Sequence, residues 1–560
     1  MSLDDYKKGK PIKNKGRHKK QAAQILATVV MGMNLVNTVA PLAVLAGAEQ
    51  KLVAAPQPAR REAEPLDYAV LPQLADMVDR AMFARAEAAN YDGNASVPSL
   101  QYGDDQIITA GQNGIVSTMS GGEQGISSGG KGTVSTMSGG VQNISSGGSG
   151  TVDTMKDGVQ NILSGGKGTV STMFSGQQIV LSSGEGTISS MSGGSQNISS
   201  GGSGTVDIMN DGKQNISSGG VGTVSTMSAG QQIVRSGGTG MVTTMNGGKQ
   251  QIISGTGTIS TMSGGKQQIM SGTGTISTMS GGTQTVSNGG SGTVNALNSG
   301  YQNILSSGVG SALGILGGTQ QIGSGGTGYV EHVTAKQIIS GGGTGIVGTV
   351  TAGDSWNLTD GQTGIANSMN GGAQTISSGG VGTVSALQGG TQAVLTGGTA
   401  LDTVLSGGTQ TVADGGTSLA TTVSGGIMQL ASGGIVSGLT MTGGSLELSA
   451  VSGGSFAING TLTATSASID MTDHSLTGYR SVTPPAYETL TIDKLSGSDN
   501  TFIMDTDLGS DNDSNSDKLI IKDADVGTHY VQIRDLSKLN GIQVTGAHQQ
   551  LLITDDSGNL

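Results

Sequence analysis

The sequence has no cysteine, few aromatic residues and few charges. Of its 560 residues, 2% are aromatic and 12% are charged. The lack of cysteine excludes disulfides. So few large side chains cannot fill the several thick cores that the length would allow. With 9 prolines and no Gly-X-Y period, collagen is excluded as well. Low charge and recurring aliphatic residues argue against disorder, which leaves a repetitive chain with a thin core.

The charges are unevenly distributed along the chain. Eight of the 27 basic residues and two of the 39 acidic ones lie in residues 1–48, which leaves the rest with a net charge of −18. An acidic body without a basic patch is a poor partner for nucleic acid or anionic lipid. We therefore expect no nucleic-acid binding.

The first 48 residues have the pattern of an export signal. A basic stretch from Lys7 to Lys20 is followed by an uncharged apolar segment at 21–48. Ala46 and Ala48 then form a small-x-small cleavage site before Glu49. We predict an extended signal peptide over 1–48 that is cleaved after Ala48; the alternative is an uncleaved membrane anchor.

Residues 49–102 differ from what precedes and follows them. Four prolines are followed by a helix-compatible run, Gln73–Ala89, whose apolar residues fall on one stripe. We predict a linker and a short cap helix that covers the first coil of a solenoid. A partner-binding helix is the alternative.

From about residue 103 to 460 the chain repeats itself every 17 to 19 residues. The first methionines of the series are Met119, Met137, Met155, Met173, Met191, Met209, Met227 and Met245. Glutamines recur in step at Gln124, Gln142, Gln160, Gln178, Gln196, Gln214 and Gln232. Aliphatic residues follow them at Ile126, Ile144, Ile162, Val180, Ile198 and Ile216. Such phased self-similarity predicts a solenoid.

One unit shows the expected local structure. Gly132–Met137 and Val141–Ser145 are short and β-branched, and Ser-Gly-Gly turns separate them. Alternation places Val134 inside and Ser135 outside. Met137 shares the parity of Ser135 but stands at a corner, and we predict that it turns inward. Stacked glutamines should bond to one another along the coils. The prediction is an all-β, right-handed parallel β-helix with rungs of about 18 residues.

The repeat units resemble those of a known family. Units such as SGG-x-Q-x-I-x-SGG and GTVSTM-SGG are similar to the repeats of AIDA-type autotransporter adhesins, over roughly residues 105–460. After Gly460, the order of Leu490–Ile492, Phe502–Leu508 and Tyr530–Ile533 resembles the pertactin-like C-terminal passenger module. The resemblance implies that residues 461–560 cap the β-helix and assist its folding as an autochaperone.

The same resemblance implies a function and a location. It suggests an exported passenger, secreted or displayed on the surface of a Gram-negative bacterium, which acts as an adhesin or a self-associating rod. Expected partners are receptors or glycans of host or neighbouring cells, further copies of the chain, and an outer-membrane translocator barrel. No barrel strands follow Leu560, so we expect the sequence to be a passenger fragment.

The unusual coils at 329–358 hold the only candidate ligand surface. Tyr329, Glu331, His332 and Trp356 could form a polar-aromatic cluster that stacks on a sugar ring, with Lys336 and Asp354 nearby. The competing interpretation is that these residues only replace the usual ladder residues of their coils and bind no ligand.

Catalytic and metal-binding patterns are weak. The five histidines are scattered, and we interpret repeat acids such as Asp153 and Asp207 as solubility charges. Asp511–Asp517 spaces oxygen ligands as calcium loops do, but Ser516 and Lys522 replace the expected Gly and Glu. We predict a solvated acidic turn there. We also expect that the chain is not an enzyme and that it binds no cofactor or metal ion.

Two other function classes stay open. A polysaccharide-acting β-helix enzyme would use Glu331 or Asp354 and would require glycan turnover. An ice- or mineral-binding solenoid would use a regular hydroxyl face and would produce thermal hysteresis. The threonines of that face are Thr133, Thr151, Thr169, Thr187, Thr205 and Thr223.

Overall fold

The computed structural model describes residues 90–163, 165–332, 337–449, 453–472, 487–509, 513–537, 544–545, 547 and 549–560. All of them belong to one compact unit, Ala69–Leu560. Within these ranges the chain is built from β-strands, and its only helical element is a 3-10 turn at Asp513–Asn515. The same ranges contain no helix that could span a membrane.

The strands follow one another in short, evenly spaced segments. The first half consists of β1 Asn90–Tyr91, β2 Ser96–Leu100, β3 Asp105–Ile108, β4 Asn113–Met119, β5 Glu123–Ile126, β6 Lys131–Ile144, β7 Ser149–Ile162, β8 Lys167–Met173, β9 Gln177–Val180, β10 Glu185–Ile198, β11 Ser203–Ile216, β12 Val221–Met227, β13 Gln231–Val234, β14 Thr239–Met245, β15 Lys249–Ile252, β16 Thr256–Met262, β17 Lys266–Ile269, β18 Thr273–Val286, β19 Ser291–Ile304, β20 Val309–Ile315 and β21 Thr319–Ile322.

The second half continues the pattern and ends in longer coils. It consists of β22 Thr327–His332, β23 Gln337–Ile339, β24 Thr344–Val350, β25 Ser355–Leu358, β26 Thr363–Ile376, β27 Val381–Val384, β28 Leu387–Val394, β29 Thr399–Leu401, β30 Val404–Val412, β31 Thr417–Leu419, β32 Thr422–Ala431, β33 Ile435–Met441, β34 Ser445–Ser449, β35 Ser455–Thr465, β36 Ser468–Asp470, β37 Thr489–Ser498, β38 Thr501–Thr506, β39 Lys518–Ile521, β40 Tyr530–Asp535 and β41 Ile553–Asp555.

Neighbouring coils pair in parallel, one repeat apart. In β6 and β7, Val134 lies beside Val152 and Ile144 beside Ile162, so equivalent residues of successive repeats are lateral neighbours. The same register continues from β7 into β8 and β9. This arrangement confirms the predicted parallel β-solenoid with a spacing of about 18 residues.

A bend within each coil explains the position of the methionines. Lateral pairing of β6 runs from Lys131 to Val134 and resumes at Thr136, so the chain turns at Ser135. The bend reverses the alternation of inward and outward side chains. Met137 therefore points inward and has no exposed surface, as predicted.

Two apolar columns and one polar column fill the interior of the first coils. Valines and methionines such as Val134 and Met137 form one buried cluster, and isoleucines such as Ile144 form another. A third cluster takes in the isoleucine column from Ile304 and the valine and methionine column from Val347. Each coil buries only a few side chains, so stability depends on neighbouring coils.

The polar column is a continuous ladder of buried glutamine amides. Gln142 donates from Nε2 to Oε1 of Gln124 at 2.7 Å, and Gln160 donates to Gln142 at 2.6 Å. The bonded members run through Gln106, Gln124, Gln142, Gln160, Gln178, Gln196, Gln214, Gln232, Gln250, Gln267, Gln284, Gln302, Gln320 and Gln337. The ladder predicted from the repeat is confirmed, and it satisfies amides that burial would otherwise make costly.

Glycine is required at two kinds of position. A Cβ atom on Gly132 would lie 2.4 Å from Cδ1 of Ile126, because the isoleucine that ends the preceding strand leans across it. At the corner, Gly140 has φ of 79°, in the left-handed region that favours glycine. Each repeat therefore needs one glycine where a side chain would collide with the isoleucine, and another where the backbone has a positive φ.

Both ends differ from the regular repeat. Lateral pairing begins at Asn90–Tyr91, so the ladder reaches into the region expected to be a linker. The predicted cap helix at 73–89 lies outside the described residues. Pairing also continues across residue 460, with Ile458 beside Ile492 and Ile492 beside Ile521. The last coils are therefore larger, as the sequence indicated, and belong to the same ladder.

Candidate binding surface

A groove follows the Ser-Gly-Gly corner along successive coils. It has a volume of about 1240 Å³ and extends from Tyr102 to Gln231. Glycine pairs line it at 121–122, 139–140 and 193–194. A Cβ atom on Gly140 would lie 2.5 Å from the carbonyl oxygen of Gly121, so backbone packs on backbone there. The result is a long recess with a floor of backbone, open to an extended ligand.

Charged side chains decorate this groove. Asp105, Glu123, Asp157 and Asp211 line it, together with Lys213. Oδ1 of Asp157 accepts the backbone N–H of Gly158 at 2.8 Å, and Asp211 accepts that of Gly212 at the same distance. Each bond fixes a carboxylate at the corner while the residue stays exposed.

Two of the predicted ligand residues lie side by side on β22. The hydroxyl of Tyr329 donates to Oε2 of Glu331, and both side chains are half-buried. Burial, and then the bond to Glu331, raise the pKa of the Tyr329 hydroxyl above its usual value. The backbone of His332 pairs with Thr349, and Lys336 lies outside the described residues. A sugar-binding role for Tyr329 and Glu331 stays a prediction.

Trp356 does not lie on this surface. It occupies the inward glutamine position of β25, beside Gln374, and is 6% exposed. Its indole therefore cannot stack on a ligand, which corrects the sequence-based expectation for this residue. The repeat register correctly predicted that Trp356 stands at the ladder position. We had not drawn the consequence that its ring points inward.

The tryptophan interrupts the glutamine ladder. Oε1 of Gln337, Nε1 of Trp356 and Nε2 of Gln374 are buried and have no hydrogen-bond partner. The ladder resumes with Gln392, which donates to Gln374 at 2.7 Å. Unpaired buried polar atoms are costly, so this coil is a local weak point of the column.

Asp354 has a structural task at the neighbouring corner. Its Oδ2 accepts the backbone N–H and the hydroxyl of Thr351, each at 2.9 Å. The same corner occurs near the start of the β-helix, where Asp104 accepts the N–H of Gln101 at 2.9 Å. These bonds tie Thr351 to Asp354 and so close this corner.

A buried acidic cluster in the last coils was missed by sequence reasoning. Asp517 has no exposed surface and accepts backbone N–H groups of Glu488 at 2.8 Å and of Asp505 at 2.6 Å. Asp505 is fully buried too and forms an ion pair with Arg534. The expectation of a solvated acidic turn is therefore wrong for Asp517, because its buried carboxylate binds the backbone of Glu488 and Asp505.

Burial raises the pKa of Asp517 to about 7, although the two backbone N–H groups favour its ionised form. Nearby Asp505 adds to the upward shift of this pKa. The group thus titrates near neutrality.

Among the described residues, no group of three or more His, Asp or Glu side chains is placed to hold a metal ion. The predicted cleavage residues Ala46 and Ala48 lie outside the described part of the chain.

Comparison with known proteins identifies the C-terminal coils. Residues 466–551 match the family model Autochaperone Domain Type 1. A crystal structure of a TibC-catalyzed hyper-glycosylated TibA fragment aligns with 26% sequence identity, covering 65% of this chain and 97% of that chain, with a TM-score of 0.18. No curated protein matches the chain. The family match confirms the predicted autochaperone module and, with it, the resemblance to an autotransporter passenger.

Proposed function

We propose that this autotransporter passenger is an adhesin, exported to the surface of a Gram-negative bacterium, where it attaches the cell to other cells or surfaces. The observation that carries the proposal is the autochaperone domain at residues 466–551, at the end of the parallel ladder. A β-helix joined to such a domain is a rod suited to display. Receptors, glycans or further copies of the chain are the partners that we propose.

The repeated corner supports a multivalent mechanism. The groove from Tyr102 to Gln231 offers similar backbone groups in every coil, at a spacing of about 4.8 Å. Many weak equivalent contacts along an extended ligand add up through avidity. Binding strength would then depend on how many coils the ligand spans.

Display on a non-aggregating host tests the proposal. Cells that carry the passenger should settle as clumps or attach to epithelial or abiotic surfaces, while cells that carry an empty translocator should not. A shortened passenger without residues 149–220, which removes whole coils from the groove, should attach less strongly at equal surface levels. Equal attachment of displaying and empty cells in every assay would refute the adhesin proposal.

A second candidate is ice or mineral binding, which the register of the threonines favours. Thr133 lies beside Thr151, and Thr151 beside Thr169, so hydroxyls line up along one outer face. A flat lattice-matching surface needs such regular spacing. Thermal hysteresis of the purified chain would support this candidate, and its absence would eliminate ice binding.

A further inference from the structure

One part of this acidic chain contains no acidic residue. Residues 212–330 lack Asp and Glu altogether and contain Lys213, Arg235, Lys249 and Lys266. The chain as a whole has a net charge of −12. Positive charge is thus concentrated in these coils, contrary to the expectation of an acidic body without a basic patch.

The register gathers three of these lysines into one outer column. Lys213 lies beside Gln231, which lies beside Lys249. Lys249 in turn lies directly beside Lys266. At a coil spacing of about 4.8 Å, like charges at directly opposite positions destabilise the pairing of strands. Among the described residues no ion pair includes these lysines, so their repulsion is not offset by a bound carboxylate there.

Other lysines of the same β-helix have such a partner. Lys167 lies beside Glu185, and their side chains form an ion pair at 2.8 Å. In the C-terminal coils, Lys494 forms ion pairs with Asp523 at 3.1 Å and Asp525 at 2.9 Å. The column of lysines at 213, 249 and 266 lacks this neutralisation, so its charge is available to an anion from outside the chain.

An exposed tyrosine continues the same column. Lys266 lies beside Thr283, and Thr283 lies beside Tyr301, which is 50% exposed. A tyrosine ring is apolar with one polar end, and it can stack on the face of a sugar. We name Lys213, Lys249, Lys266 and Tyr301 the lysine face.

A neighbouring outer column adds amide and hydroxyl groups. Gln251, Gln268 and Thr285 lie beside one another in successive coils. Each stands two residues after a member of the lysine column, so its side chain points to the same outer face. All three are half-buried. Their amide and hydroxyl groups can exchange hydrogen bonds with the hydroxyls of a sugar.

We propose that the lysine face binds an acidic polysaccharide, whose carboxylate or sulfate groups pair with Lys213, Lys249 and Lys266 while one sugar ring stacks on Tyr301. The glycan follows the axis of the β-helix. From Lys213 to Tyr301 the column crosses five coil spacings, or about 24 Å. The inference rests on the proposed function as an adhesin and names the chemical class of one ligand.

The composition of the lysine face favours a glycan over a single-stranded nucleic acid. Proteins that bind single strands stack successive bases on several aromatic side chains. The lysine face has one aromatic ring, and its neighbouring column supplies amides and hydroxyls. The chain without residues 1–48 has a net charge of −18, so it repels a polyanion elsewhere and restricts binding to this face.

Binding of the purified, exported chain to immobilised heparin and to immobilised hyaluronate tests the inference. The exported form is used because the basic segment at 7–20 would itself retain an acidic glycan. The wild type should bind at low salt and be released as the ionic strength rises from about 0.05 to about 0.5 M, since exposed charges are then screened. Binding to hyaluronate shows that carboxylates suffice, and binding to heparin alone shows that sulfates are needed. Retention on neither overturns the inference.

Substitutions that the column already tolerates separate charge from stacking. Lys249→Gln/Lys266→Gln should weaken binding about tenfold, and Gln231 occupies the same column. Tyr301→Thr should weaken binding about threefold with unchanged salt dependence, because it removes the ring and no charge. Threonines already flank that position at 283 and 319.

Lys131→Gln/Lys167→Gln is the matched control. It makes the same change in net charge on another outer column and should bind like the wild type. Equal binding by Lys249→Gln/Lys266→Gln and the wild type overturns the inference, and so does an equal loss in the control. Single-stranded DNA that binds at least as tightly as heparin overturns it as well, because the face would then not select a glycan.

Display on a non-aggregating host separates this inference from the proposed function. Cells that display Lys249→Gln/Lys266→Gln should lose attachment to a surface coated with the bound glycan and keep attachment to other surfaces. If wild-type cells attach while the purified chain binds neither glycan, the adhesin proposal stands and this inference fails. If the purified chain binds a glycan while displaying cells attach to nothing, the lysine face stands as a glycan site and the adhesin proposal fails.

Discussion

The side-chain amide of Gln214 donates to Oε1 of Gln196, one coil earlier, at 2.6 Å. Gln232 donates to Gln214 at 2.6 Å in the same way. All three side chains lack exposed surface, so each amide depends on its neighbours rather than on water. The ladder thus links the stability of each coil to the two coils beside it.

Gln214→Leu should destabilise the β-helix by about 2–5 kcal/mol, because it leaves Oε1 of Gln196 without a donor and removes the acceptor of Gln232. Chemical denaturation followed by circular dichroism measures the change. Gln231→Leu, one coil on and on the outer column, is the control and should have little effect. Equal midpoints for Gln214→Leu and the wild type would contradict the structural importance of the ladder.

The single tryptophan should report an early local transition. Trp356 is buried, and the three unpaired polar atoms lie on its coil and on the two coils beside it, so this region should open at a lower free energy than the rest. Native fluorescence should be blue-shifted and poorly quenched by iodide. In a urea titration the fluorescence midpoint should precede that of circular dichroism, and coincident midpoints would show that the coil is no weaker than its neighbours.

Gly150→Val should destabilise the coil by about 1–3 kcal/mol, since there is no space for the added atoms. A Cβ atom there would lie 2.4 Å from Cδ1 of Ile144 and 2.7 Å from Oε1 of Gln142. Thermal unfolding measures the loss. A Gly150→Val chain as stable as the wild type would show that the isoleucine at the end of the preceding strand can move aside.

Ser149→Val is the matched control for this glycine. Ser149 is exposed, and it belongs to an outer column that already holds a valine, because Ser203 pairs with Val221 in the same column. Val221 is exposed as well. Ser149→Val should therefore leave the unfolding temperature unchanged, which separates the lack of space at Gly150 from the effect of adding a valine.

The stability of the last coils should depend on the ionisation of Asp517. Its pKa is raised to about 7 in the folded chain, above its ordinary value of 3.8, so the folded state holds the proton more tightly than the unfolded state. This contribution is fully present below about pH 4 and is lost as the pH rises through 7. It amounts to at most about 4 kcal/mol.

Thermal unfolding of the C-terminal coils at pH 5 and pH 8 measures this dependence. The wild type should lose stability at pH 8 through this group, whereas Asp517→Asn should show a smaller difference between the two pH values. Asp525→Asn is the control, because Asp525 is exposed and its pKa is lowered mainly by Lys494. An equal pH difference in Asp517→Asn and the wild type would place the titrating group elsewhere.

Much of the fold could be predicted because the repeat is regular. The spacing of Met137 and Gln142 from their equivalents gives the coil length, and alternation around Val134 gives the inward face. The inward turn of Met137 followed from its place at a corner rather than from alternation. Local pattern was sufficient wherever one coil resembles the next.

The rest depended on contacts that the repeat does not encode. Asp517 meets Glu488 and Asp505 across coils of irregular length, so no fixed spacing joins them. The inward direction of Trp356 was hidden by its polar and aromatic sequence neighbours, which suggested an exposed cluster.

The equal register of successive coils has a consequence for how such a chain can change in length. Ser149 lies beside both Lys131 and Lys167, so residues 131, 149 and 167 are interchangeable starting points of a coil. If one 18-residue unit is lost or duplicated, the coils on either side of the new junction still pair in the same register. Exchange between similar stretches of coding sequence can therefore change the length of the β-helix in steps of about 4.8 Å. The terminal domain need not change when coils are gained or lost.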